Sequence, residues 1–147
     1  MDREVLHKEI DLIQACITRM ANNSFLLKGW AISIIAVVLA LADKAINPAL
    51  LSIILLIPLF SFWYLDAFFL RTERMYRKMY EWVLEKRSKN DNTFLYGLNP
   101  NRFKDSVDSI GKVMMFTTLK WFYGLPVLLT VIVIIVRVVQ ILSKRSW

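Results

Sequence analysis

The sequence predicts an all-α integral membrane protein, with about three transmembrane helices extended by cytosolic amphipathic helices that form a helical bundle. Three observations predict it. The 147 residues are 56% hydrophobic and only 21% charged, too apolar for a soluble domain of that length. The apolar residues come in three blocks, 25–43, 49–70 and 118–142, each near the ~20 residues a helix needs to cross a bilayer. The stretches outside those blocks carry apolar residues three or four positions apart, the spacing of one helix face. No fixed-period repeat is present, so the chain reads as a single membrane domain.

Residues 1–24 form the first amphipathic helix. Leu6, Ile10, Ile13, Ile17 and Met20 follow the seam of a helix that packs on another helix. Glu4 and Lys8 are a supporting pair one turn apart. Asn22, Asn23 and Ser24 are better caps than helix-interior residues, which predicts a boundary there. In the first span, 25–43, Lys28 lies just inside the apolar block and can snorkel to the interface, and Trp30 suits the interfacial belt.

The connection 43–48 is short and holds one Lys, Lys44. It makes the first two spans an antiparallel hairpin. Arg19, Lys28, Arg71, Arg74, Arg77 and Lys78 lie at the opposite end. The positive-inside rule then puts the N-terminus in the cytosol and the tip outside.

The second span, 49–70, contains Pro58, which removes a backbone donor mid-membrane. It also contains Asp66. An acid in an apolar run is a functional candidate by default. Counting back from the tip, Lys28 lies at nearly the same depth, which predicts a Lys28–Asp66 ion pair between the antiparallel helices.

Residues 71–117 are predicted as a cytosolic helical hairpin. No Gly or Pro separates 49–70 from 71–87, so the second span and its extension form one long helix. Met75, Met79 and Val83 line its face, braced by Glu73–Arg77 and Arg77–Glu81. Its partner is the first helix: Ile17 faces Tyr76, Ile13 faces Tyr80 and Ile10 faces Val83. Residues 88–99 form a loop. Asn99 caps the next helix with Pro100 in its first position. Phe103, Val107, Ile110 and Met114 continue at spacings of four, three and four. Each span is thus expected to extend into a helix of about five turns, stacking one three-helix bundle on another.

The third span, 118–142, opens on Lys120 and the aromatic belt Trp121, Phe122 and Tyr123. Gly124 and Pro126 mark a weak point. Thr130 is a polar group within the β-branched run. Arg137, Lys144, Arg145 and Trp147 follow. Three crossings put the C-terminus outside; a re-entrant third segment would return it to the cytosol.

The chemistry-bearing residues argue against an enzyme. His7 and Cys16 are the only His and the only Cys, so no metal site is expected. The 4 glycines form no phosphate-cradling loop. No Ser–His–acid set is present, and Asp105 and Asp108 read as a solvated helix face. No cofactor is expected. The net charge of +7 follows from topology or from an anionic partner. Arg71, Arg74, Lys112 and Lys120 are the candidate anion site, repeated around the axis of a homo-oligomer. Three spans are too few to enclose a solute path alone. Ser33, Ser52, Ser61 and Thr130 would line a shared pore or simply pack helices.

A small basic membrane chain with an amphipathic N-terminal helix and a Lys28-Gly29-Trp30 entry resembles the transmembrane effectors of bacterial anti-phage operons, in style the Hailong-type effector paired with a nucleotidyltransferase. The resemblance covers most of the chain by architecture and carries over no functional residue. It implies an oligomeric ion channel in the bacterial inner membrane, opened on infection by an oligonucleotide ligand that a nucleotidyltransferase partner supplies. The expected function is therefore a defence-effector channel gated from the cytosolic side, with membrane lipid as its surroundings. The alternatives are a non-conducting anchor or scaffold subunit and a holin-like toxin without a ligand.

Overall fold

The structure is a computed structural model that describes residues 3–41 and 47–145. The predicted connection around Lys44 and the terminal Trp147 lie outside them. The elements, all helical, are α1 (Arg3–Leu41), α2 (Pro48–Ser88), a 3-10 segment (Pro100–Ser106), α3 (Ile110–Met114) and α4 (Thr117–Arg145). The protein is an all-α membrane protein, and α1, α2 and α4 are each long and apolar enough to cross a bilayer.

α1 and α2 have 39 and 41 residues. At 1.5 Å per residue both reach about 60 Å, twice the hydrocarbon thickness. Each therefore has a membrane half and an extramembrane half. The boundary predicted at Asn22–Ser24 is absent: α1 runs straight through it. Packing against α2 on both sides of these residues outweighs their weak helix preference. α2 also continues through Pro58. Its first turn is closed by the Asn47 carbonyl, which accepts from Leu51 N–H at 3.2 Å.

Two cores follow the two halves. In the membrane layer, Ala31 of α1, Leu55, Leu59, Trp63 and Ala67 of α2, Val113 of α3, and Leu119 and Tyr123 of α4 form one buried cluster. Ala31 and Ala67 are fully buried, and their small side chains let the backbones approach. In the extramembrane layer, Ile13 and Ile17 pack on Tyr76, Met79 and Val83, with Tyr80, Leu98 and Phe103 alongside. The hairpin extension between the first helix and 71–87 is thus present, but Ile10, expected against Val83, is not in this cluster, and its neighbour Glu9 is buried instead.

The third extension differs. Instead of one five-turn helix leading into the last span, the chain forms a strap of short pieces. The 3-10 segment ends at Val107, which is extended (φ −131°, ψ 157°). α3 then starts from an extended Ser109 and stops at Met115. Ser106, Asp108 and Ser109 compete with helix bonds through their side chains, and Gly111 weakens the turn after them. The stripe is split accordingly: Phe103 serves the extramembrane core, while Ile110 and Met114 serve the membrane core. The upper layer is therefore two long helices and a strap, not three helices.

α2 lies in the middle of the membrane layer and packs on both α1 and α4; among the described residues no Cα of α1 comes within 8 Å of one of α4. α4 is one unbroken helix of 29 residues through Gly124 and Pro126, with no re-entrant turn among the described residues.

Candidate functional site

Lys28 and Asp66 meet at the level where the membrane core ends. Lys28 Nζ lies 2.6 Å from Asp66 Oδ2. Asp66 is fully buried, and Lys28 keeps 24% of its side chain accessible. The pair is part of a larger cluster. Ser24 donates its hydroxyl to Asp66 Oδ1, and Tyr123 donates its hydroxyl to Oδ2 at 3.1 Å. Lys28 also donates to Ser24 Oγ at 2.9 Å. One carboxylate thereby gathers donors from α1 and α4 onto α2. A charge in this layer is tolerated because both carboxylate oxygens have partners. Ser24 and Tyr123 were not legible as members: one reads as a cap and the other as a belt residue.

The four basic residues predicted to bind an anion are not one group. Arg71 clamps the strap, donating from Nε to the Asp108 carbonyl at 2.9 Å and from Nη2 to the Lys104 carbonyl at 2.9 Å. These are carbonyls that the broken helix leaves free. Arg74 and Lys112 share the Asp108 carboxylate, at 3.8 Å and 2.6 Å. Arg74 also lies over the Phe116 ring, 4.3 Å from its centroid. Lys120 stands apart, beside the Trp121 ring. Of the four, only Arg74 lines the large open cleft between α2 and the strap. That cleft measures 490 Å³ and is walled by Arg74, Arg77, Lys78, Glu81, Asp105 and Ser106. Glu73 pairs with Arg77 at 2.7 Å as the spacing predicts, but Glu81 pairs with Lys78, not Arg77.

A second buried ion pair closes the far end of the extramembrane layer. Arg87 grips Glu9 with two parallel bonds, Nε to Oε2 and Nη2 to Oε1, each 2.8 Å. Both side chains are nearly inaccessible. The hydrogen bonds to Glu9 raise the Arg87 pKa above its ordinary value despite burial. The pair also holds the loop after α2. Tyr96 N–H donates to Glu9 Oε1 at 3.1 Å, and Arg87 Nη1 donates to the carbonyls of Asp91 and Thr93. Phe94 and Tyr96 are thereby kept in the left-handed region, at φ 56° and 57°, a strained conformation for bulky residues. Gly97 is required beside them, because a Cβ there would lie 2.9 Å from the Phe94 carbonyl oxygen.

The sequence contained a signal for this pair. Glu9 precedes Ile13 by four residues, and Arg87 follows Val83 by four. Each occupies the next position on an apolar stripe, and the stripes face one another.

The Asp91 carboxylate is held well below the usual range by hydrogen bonds from the Thr93 side chain and backbone, with Lys86 adding to them. Burial pushes the Tyr76 phenol up. Among the described residues no group of His, Cys, Asp and Glu is placed to hold a metal ion. No family model, no curated protein and no solved structure matches this chain.

Proposed function

We propose that the chain is the protomer of an oligomeric membrane channel of effector type, opened from its extramembrane layer by an anionic, nucleotide-like ligand. The observation that carries this reading is the splay of the three spans. α2 separates α1 from α4, so one copy has no enclosed path, and the outer faces of α1 and α4 stay uncovered by protein. Copies arranged about an axis supply a closed wall. The Ser24–Lys28–Asp66–Tyr123 cluster supports the reading as a joint. It ties all three spans together at the end next to the strap. A movement of the extramembrane layer therefore has a rigid route to α4.

The ligand contacts proposed are Arg74, Arg77, Lys78 and Ser106 in the cleft, in place of Arg71, Lys112 and Lys120. The Lys78–Glu81 pair is exposed and the Arg74–Asp108 pair half-exposed, each worth at most ~1 kcal/mol, so a multivalent phosphate group can displace Glu81 and Asp108 from these bases, while the buried Glu73 stays with Arg77. The proposal places the protein in a bacterial inner membrane with a cytoplasmic N-terminus, following the distribution of Lys and Arg. A defence role with a nucleotidyltransferase partner rests on the architectural resemblance alone.

Planar-bilayer recording of the purified protein tests the reading, with and without a mixture of short oligonucleotides. Discrete current steps that depend on the oligonucleotides support it, and Arg77→Ala with Lys78→Ala should weaken that dependence. Steps without any ligand indicate a holin-like pore. Silence from an assembled oligomer under all ligands overturns the channel and favours a membrane anchor. One observation favours that second reading. The hydroxyls of the exposed Ser33 and Ser61 and of the buried Thr130 each turn back onto a carbonyl of their own helix, so none of the three offers a free donor to a solute path.

A further inference from the structure

At the hairpin side of the membrane layer the three spans leave a groove of 210 Å³. Val38 and Leu39 of α1, Leu51 and Leu55 of α2, and Leu129 and Val133 of α4 wall it. Ser52 and Thr130 also line it, and the Thr130 hydroxyl is taken by the Pro126 carbonyl at 2.7 Å. We propose that this groove holds one acyl chain of a membrane glycerophospholipid.

The lining disfavours water, because a mostly apolar space offers it few partners, and apolar cavities of comparable size accept hydrocarbon. The groove also opens sideways into the bilayer, since α1 and α4 do not approach one another. Hydrocarbon is the solvent there, and an unfilled groove would forfeit the dispersion contacts of its walls. From Leu51 to Leu55 the groove follows the α2 axis for about 6 Å, the direction in which lipid chains lie, and a single polymethylene chain, apolar along its length, matches both that direction and the lining. Three walls hold that chain longer than the lipid around it, which meets one helix face at a time. The inference rests only on membrane insertion and stands whether or not the protein conducts.

The test uses the full chain in phosphatidylethanolamine–phosphatidylglycerol vesicles doped with a phosphatidylcholine that carries a diazirine within one acyl chain. After illumination, adducts are mapped by peptide mass spectrometry. Leu51 and Leu55 are 7% and 8% exposed and are reached only from inside the groove. They should be labelled at least as strongly as Ile57 and Ile135, which are 68% and 55% exposed. Val133→Phe, at a rim position 41% exposed, has room for the ring and should cut the Leu51 and Leu55 adducts severalfold. Ile135→Phe, away from the groove, should leave them unchanged. Labelling confined to Ile57 and Ile135 would overturn the proposal. So would Leu51 and Leu55 adducts that survive Val133→Phe, or cross-links between copies in place of lipid adducts.

Discussion

Replacing Asp66 by Asn removes the one negative charge of the membrane cluster while keeping its size. Three donors converge on that carboxylate: Lys28 at 2.6 Å, Tyr123 at 3.1 Å and Ser24. Losing one partner of a buried pair costs about 3–5 kcal/mol. Lys28 keeps 24% accessibility and can partly snorkel, which places the cost near the lower bound. Tyr123 is fully buried. Where the Asn amide fails to accept from its hydroxyl, the orphaned donor adds about 1–3 kcal/mol. Ser24 loses least, because its hydroxyl can turn to a carbonyl one turn back. The total, about 3–6 kcal/mol, should lower the melting temperature in detergent by on the order of 10 °C. The assay is the monodisperse fraction retained after heating, read by size-exclusion fluorescence. Lys28→Met, Asp66→Leu and Tyr123→Phe together replace the cluster with apolar groups and should recover most of the loss. If Asp66→Asn melts like the parent but alters conductance, the structural reading is wrong and Asp66 belongs to a conducting path.

Three further outcomes are expected. Glu9→Ala leaves Arg87 buried without its partner, at a cost of about 3–5 kcal/mol; limited proteolysis should then cut within 91–97, and Glu9→Met with Arg87→Met should restore part of the resistance. Ile13 is 1% exposed between α1 and α2, so Ile13→Asp buries an unpaired charge and should abolish the folded extramembrane layer, seen as loss of amide protection in 71–88. Asp91 has a depressed pKa in the fold. Its contribution is therefore complete above the ordinary carboxylate value of about 3.9 and is lost as pH falls through the lower folded value. Hydrogen exchange at Thr93 should quicken below about pH 3 beyond the intrinsic change, and Asp91→Asn should remove that excess.

The class and the pairing of the long helices were already legible in the residues. Block length and composition require helical membrane crossings, because a backbone in hydrocarbon must satisfy its own hydrogen bonds. The short connection after residue 42 makes the first two spans antiparallel. Equal distance from that connection then aligns Ile17 with Tyr76, Ile13 with Tyr80, and Lys28 with Asp66, because both helices rise at the same rate per residue. The rest was set by packing, where local preference and distant contacts disagree. Asn22–Ser24 stays helical because α1 is packed on both sides of it. Residues 100–116 split into a 3-10 segment and the short α3, although their spacing suits one helix, and Arg71 holds two of the carbonyls that the break leaves free. The same holds for the sites. Lys28 and Asp66 were legible from depth alone, whereas Ser24 and Tyr123 join them only through the rotation of α1 and α4 about their axes. Arg71, Arg74, Lys112 and Lys120 looked alike as basic residues near one membrane face. Which of them is spent on the strap and which faces the cleft depends on where that strap crosses α2, and spacing along the chain does not encode a crossing point between helices.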